Sequence, residues 1–220
     1  MNGSNTNHSD RCSLLAAGCL TAAVVAAGCG PLAARSVVSG SQLYASCAPC
    51  HGDLGEGNPA LGAPSIAGLP TWYVTEQLRR FKDGLRGKHP DDTGGLRMRA
   101  MARQMMSTTE VEAVAGHVSG LPVVKHAATL HGADMAAGQP LYGLCAVCHG
   151  AQAEGNQTLN APPLAHLDDW YVAAQVKKYQ SGIRGTAPDD ALGPAMQAIA
   201  NSVEPAAVDH LAAYILTLSK

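Results

Sequence analysis

Cys47-Ala48-Pro49-Cys50-His51 and Cys145-Ala146-Val147-Cys148-His149 are two copies of one pattern, Cys-x-x-Cys-His, set 98 residues apart. This is the attachment signature of a c-type haem. Two thiols add across the porphyrin vinyl groups, and the adjacent histidine gives an axial nitrogen to the iron. On a helix the three side chains fall within about one turn, so one short segment can clamp one macrocycle. A lone Cys-x-x-Cys could instead be a redox dithiol or half of a zinc site. Those readings do not explain why His follows both times, or why each motif opens the same longer pattern.

That longer pattern is a tandem duplication. Moving the chain by 98 residues places Tyr44 on Tyr142, Gly52 on Gly150, Gly57 on Gly155, Pro64 on Pro162 and Trp72-Tyr73 on Trp170-Tyr171. The register continues through Gly84, Arg86 and Gly87 to Pro90-Asp91-Asp92 and reaches Met98 on Met196 without a gap. One residue is then lost, and the final segments align at 97, with Val111 on Val208 and His117 on Tyr214.

Each copy reads as mostly helical. Residues 40–50 and 138–148 run as short helices into the motif, and helices follow over Thr71–Asp83 and Asp169–Ser181, where apolar residues recur at helical spacing. Gly-, Pro- and Asp-rich loops cover 84–95 and 182–193. A closing helix begins at a Ser107 or Thr108 cap in one copy and after Glu204-Pro205 in the other. The join from Leu121 to Ala133 is short, so the two domains are expected to touch.

The composition agrees with a cofactor in the core. The 220 residues are 4% aromatic, with one phenylalanine and two tryptophans. Two domains of under a hundred residues built from Ala, Leu and Val have thin interiors and need a staple, which a covalent haem supplies. A net charge of −2, with scattered Lys and Arg, excludes a nucleic-acid surface.

A second axial ligand should recur like the first. His51 to Met98 is 47 residues, as is His149 to Met196. Met101 falls on Ile199, Met105 and Met106 meet no methionine, His89 falls on Ala187 and His166 on Gly68. Met98 and Met196 are therefore the methionine pair in register, placed just after a loop from which a thioether can point inward. The alternative is that both merely fill the core. Trp72 and Trp170 read as core residues ahead of haem-edge groups. The matched basic pairs Arg79-Arg80 and Lys177-Lys178 read as a solvated face, with a docking patch for an acidic partner as the alternative.

From Cys12 to Ala34 the chain carries no charge. This run can be a cleaved signal peptide, a spanning helix or a lipoprotein signal ending in Ala26-Ala27-Gly28-Cys29. Every export reading puts the rest of the chain on the periplasmic side of the cytoplasmic membrane, and residues 12–34 would supply any attachment. The expected organisation is a targeting or anchor segment over 1–35 and domains over 36–122 and 134–220.

The haem motifs, the loops Ala63-Pro64-x-Ile66-Ala67-Gly68 and Ala161-Pro162-x-Leu164-Ala165, the segments Met98-x-x-Met101-Ala102 and Met196-x-x-Ile199-Ala200, and the closing Ala207-Val208-x-x-Leu211-Ala212-Ala213-Tyr214 carry a resemblance. Over residues 38–220 the chain resembles the class I cytochrome c superfamily and, within it, the dihaem cytochrome c4-like proteins. The resemblance implies an all-α tandem pair of cytochrome c domains packed face to face, each around one covalent haem c. Cys47, Cys50, Cys145 and Cys148 would hold the two haems, and His51, Met98, His149 and Met196 would bind the irons. It also implies single-electron transfer, with a quinol-oxidising complex as donor and a terminal oxidase as acceptor. His117, standing where a closing-helix aromatic is expected, suggests looser packing in the first domain. The near symmetry of the halves favours a carrier over an enzyme. The alternatives are a dihaem peroxidase or thiosulfate-oxidising protein, and a haem subunit of a respiratory complex.

Overall fold

The computed structural model of the protein describes residues 38–105 and 107–218. The apolar run from Cys12 to Ala34, with every anchor and signal reading attached to it, lies outside them, as does Met106. Among the described residues no helix is long and apolar enough to cross a membrane.

The first half contributes α1 (Gly40–Tyr44), α2 (Ala48–His51), α3 (Thr71–Asp83), α4 (Thr93–Ala102) and α5 (Thr108–Ser119). The second contributes α6 (Met135–His149), α7 (Asp169–Gln180), α8 (Gly193–Asn201) and α9 (Val208–Thr217). Apart from 3₁₀ turns at Pro59–Leu61 and Pro205–Ala207, the described remainder is loop, with isolated bridges Asn58–Ala63 and Asn156–Ala161. The architecture is an all-α tandem pair, as the periodicity predicts.

Two expectations about the elements change. Residues 40–50 form two helices where a single one was expected. Pro49 has no N–H to give the carbonyl of Ala45, and Ser46 Oγ bonds back to Leu43 O at 2.9 Å. Val147 stands in the matching place of the second copy, and α6 runs through unbroken. The glycine-rich loops also end sooner than expected, because Asp92 accepts the Gly95 N–H at 3.0 Å and Asp190 the Gly193 N–H at 2.8 Å. Met98 and Met196 therefore lie on helices α4 and α8, one turn further in than a loop position.

The opening and closing helices of each half cross closely, α1 on α5 and α6 on α9. Gly40 and Gly138 make that approach possible: a methyl group on either would run into a backbone carbonyl, that of Ala113 or His210. Beside the crossing, Tyr44 meets the His117 ring at 5.1 Å and Tyr142 meets the Tyr214 ring at 5.8 Å, both tilted by 54°. His117 thus fills the aromatic slot of the first domain, and the looser packing expected there is not found. Capping boxes of Ser39 with Gln42 and Ser107 with Glu110 fix the starts of α1 and α5.

The halves touch, as the short join predicts. One apolar cluster runs through both, including Tyr44, Val74 and Val114 from the first and Tyr142, Val172 and Leu211 from the second. Around it the ion pairs are reciprocal. Arg80 pairs with Asp190, and Lys178 Nζ lies 2.6 Å from Asp92 Oδ1. The duplication explains this: Arg80 aligns with Lys178 and Asp92 with Asp190, so one contact is made twice about a local two-fold. These two basic residues leave the solvated face expected of them, because each finds a carboxylate with 2–3% of its side chain exposed across the interface. The joining segment is pinned too: Asp169 accepts the N–H groups of Thr129 and Leu130 at 2.8 and 3.0 Å.

Candidate haem sites

Each attachment motif ends its helix at the histidine. The chain then turns back so that Gly57 N–H reaches His51 O, and Gly155 N–H reaches His149 O, both at 2.7 Å. Both glycines have positive φ (88° and 81°), and a side chain on either would collide with the backbone of the returning loop. That loop brings up Pro64 and Pro162, whose carbonyls lie 2.8 and 2.7 Å from Nδ1 of His51 and His149. A carbonyl can only accept, so the ring proton sits on Nδ1 and the Nε2 lone pair is free for a metal. Both rings are 6% exposed, and burial, outweighing the carbonyl contact, holds both below the ordinary histidine pKa. These are neutral imidazoles presented in one tautomer. That is the form an iron ligand needs.

Of the four motif cysteines, Cys47 and Cys145 are partly buried and Cys50 and Cys148 exposed. Among the described residues no three His, Cys, Asp or Glu side chains gather as a metal cluster. Among the described residues the half-zinc-site reading therefore finds no completing ligands.

In the first domain Cys47, Cys50 and His51 open onto a cavity of about 470 Å³. Pro64, Ile66, Leu78 and Phe81 give it apolar walls, and Met98, Met101 and Met105 all reach it. This lining fits a flat apolar macrocycle held by two thioethers and a histidine. Three thioethers border the cavity, and the repeat register distinguishes Met98 from the other two. Met196 lies half-buried at the matching turn of α8.

The cavity also has a wall from the other domain: Leu167, Trp170, Tyr171, Gln175 and Lys178 line it. Trp72 packs on the apolar core as expected, whereas Trp170 faces the first cavity. The repeat gives both tryptophans one role and does not foretell that Trp170 borders the other domain's cavity. Arg86 Nη2 donates to Tyr171 Oη at 2.7 Å and to Gln175 Oε1 at 3.0 Å, and Arg184 donates to Gln175 Oε1 at 2.9 Å. Burial would push the Tyr171 hydroxyl up, but Arg86 and Arg184 beside it reverse that and hold it below its ordinary value. The repeated Arg86 and Arg184 were visible in the sequence, but their meeting at the interface was not.

The sequence pattern of the cytochrome c family matches residues 37–122 and 135–219. A thiosulfate dehydrogenase electron acceptor of Thiomonas intermedia is 38% identical over 66% of this chain and 67% of its own. Among solved structures, thiosulfate dehydrogenase of Marichromatium purpuratum superposes with a TM-score of 0.65 at 29% identity, covering 82% of this chain and 39% of that one. This chain therefore spans about two fifths of that enzyme. Reduced cytochrome c4 of Pseudomonas stutzeri superposes with a TM-score of 0.63 at 26% identity, covering 80% and 95%.

These relatives correct the expectation of a carrier rather than an enzyme, since one is a thiosulfate dehydrogenase and another is named as such an enzyme's electron acceptor. That expectation rested on the near symmetry of the halves. The matches support an oxidoreductase or electron-acceptor role, with redox partners in a respiratory chain. With the family pattern covering both halves and a haem motif in each, the chain belongs to the cytochrome c family, is related to the dihaem cytochrome c4 and thiosulfate dehydrogenase proteins, and carries two covalent haem c groups.

Proposed function

We propose that the chain is the dihaem electron-accepting unit of a thiosulfate-oxidising oxidoreductase, working on the periplasmic side of the cytoplasmic membrane. What supports this most is the similarity to a thiosulfate dehydrogenase electron acceptor over two thirds of both chains. In this reading Cys47 and Cys50 hold the first haem and Cys145 and Cys148 the second. His51 and Met98 would hold the first iron, and His149 and Met196 the second. Joining two thiosulfate anions through a sulfur–sulfur bond releases two electrons, and two haems can hold one each. The donor is then the thiosulfate-oxidising centre in place of a quinol-oxidising complex, and the acceptor is a respiratory component such as a terminal oxidase.

The bound haem supplies a one-electron Fe(III)/Fe(II) couple, and thioether ligation favours the reduced state. The chain's own residues keep the ligand set fixed. The carbonyls of Pro64 and Pro162 lock each imidazole in one tautomer, and the apolar loops exclude water. The interface holds the two sites in one body, so electrons need not wait for domains to diffuse together.

The test is a spectroscopic redox titration of the holoprotein, with and without carbon monoxide, followed by anaerobic addition of thiosulfate and a thiosulfate dehydrogenase. Two low-spin haems that ignore the gas and are reduced by that pair support the reading. A gas-binding haem overturns the ligand set, and haems that stay oxidised overturn the donor.

A further inference from the structure

Asp168 stands at the N-cap of α7, where an aspartate ordinarily accepts from its own helix, but its side chain makes no such bond. It reaches instead into the first domain, where Oδ2 accepts the Ser65 N–H at 2.8 Å. Oδ1 lies 3.2 Å from Nδ1 of His126 in the joining segment. Both Asp168 and Ser65 are buried. The Ser65 N–H belongs to the same peptide group as the Pro64 carbonyl, which lies 2.8 Å from Nδ1 of His51. One peptide plane therefore carries a carboxylate on its N–H side and the motif imidazole on its C=O side. The loop is fixed in that pose, because Ser65 Oγ and the N–H groups of Ile66 and Ala67 all donate to the Gly55 carbonyl. The second domain cannot build this link. Pro163 stands in place of Ser65 and has no N–H, and Pro70 stands in place of Asp168. His149 meets the Pro162 carbonyl at 2.7 Å, so the two histidines are placed alike, and only the first is joined through its peptide to a carboxylate.

We infer that Asp168 is a positioning residue for the first haem, supplied by the second domain, and that it acts on His51 through the Pro64–Ser65 peptide. This rests on the assignment of His51 as an iron ligand. A negative charge at the N–H end of a peptide polarises it and leaves more negative charge on its oxygen. The Pro64 carbonyl becomes a stronger acceptor for the His51 Nδ1–H, which raises the basicity of the imidazole towards iron. A more basic nitrogen favours Fe(III), so Asp168 lowers the potential of the first haem. The second haem lacks this contribution, since Pro163 cannot donate. Docking of the second domain thereby sets the electron affinity of the first.

The experiment is a redox titration of the holoprotein carrying Asp168→Asn, resolved into two one-electron waves. The asparagine oxygen can still accept from Ser65, so the substitution removes the charge and keeps the shape. Met98→Ala, measured separately, identifies the wave of the first haem. Asp168→Asn should raise that wave, shifting its reduction equilibrium about tenfold, or about 59 mV for one electron, and leave the second wave in place. In the reduced, diamagnetic protein the His51 Nδ1–H resonance should also move upfield as its hydrogen bond weakens. Asp92→Asn separates this from a plain loss of charge. It neutralises a carboxylate at the same cavity that has no bond to the Pro64–Ser65 peptide, and it should leave that resonance where it is. An unmoved or lowered first wave, an unmoved His51 resonance, or the same movement in Asp92→Asn overturns the inference. Should Asp168→Asn lose haem, Ser65→Pro decides in its place, since Pro163 shows the same loop accommodating proline. It removes the N–H and keeps the carboxylate, and it should raise the first wave too; a first wave that stays put overturns the inference. Failure of the ligand assignment shows separately, as a high-spin or gas-binding first haem in the unsubstituted protein.

Discussion

The two halves hold their histidines alike, but their contacts with each other are only partly equivalent. His51 and His149 meet a proline carbonyl at 2.8 and 2.7 Å, and Tyr44 and Tyr142 each donate to the carbonyl of the following glycine, Gly52 or Gly150, at 2.6 Å. Across the interface the ion pairs of Arg80 with Asp190 and Lys178 with Asp92 repeat, but other contacts do not. Asp168 accepts the Ser65 N–H at 2.8 Å and lies 3.2 Å from His126, whereas Pro70 stands at its repeat position and Pro163 at that of Ser65. Contacts made within about fifteen residues survive duplication because each copy carries all the parts. Contacts between copies can diverge, because each side is a separate residue.

The sharpest way to break the comparison is to open one iron at a time. Met98→Ala should convert the first haem from a site closed to carbon monoxide into one that binds a full equivalent, and Met196→Ala should do the same for the second. Optical titration of each variant checks this, and two bound equivalents in either variant would break the independence of the sites. Next in size is the helix crossing. Gly40→Ala and Gly138→Ala each force a methyl against a backbone carbonyl and should cost about 3 kcal/mol or more. Denaturant unfolding should show similar losses for both, since the crossing is built the same way twice.

Smaller again are the reciprocal ion pairs. Asp92→Asn and Asp190→Asn should each cost about 2 kcal/mol. Burial works against both carboxylates, but Lys178 with the Gly95 N–H, and Arg80 with the Gly193 N–H, hold them below the ordinary value of 3.8. A carboxyl depressed in the folded state stabilises it fully above its unfolded pKa and loses that contribution as pH falls through the folded one. The docked pair should therefore hold from neutral pH down to about 4 and loosen below it. Paired Asn variants should lose that acid dependence, as small-angle scattering against pH would show. Smallest is His117→Tyr, which gives the first domain the ring of the second. The slot is already filled at 5.1 Å, so a stability change under about 1 kcal/mol is expected from thermal melts.

Much of this was legible before any coordinates, because the chain states its pattern twice. The motif histidines, the α3 span and the all-α pairing follow from repetition and helical period. The break between α1 and α2 was written in Pro49, but its effect depends on helix phase, which local reading leaves open. Gly40 and Gly138 look like ordinary glycines until α5 and α9 are seen crossing them. The interface was the least legible region. Arg80 and Lys178 read as surface residues because the carboxylates opposite them lie more than eighty positions away.

The most direct measurement is anaerobic reduction of the holoprotein by thiosulfate together with a thiosulfate dehydrogenase, followed through the haem absorbance. The account predicts that both haems are reduced, two electrons per chain, at a rate that depends on both additions. Haems that dithionite reduces but that pair leaves oxidised would contradict it.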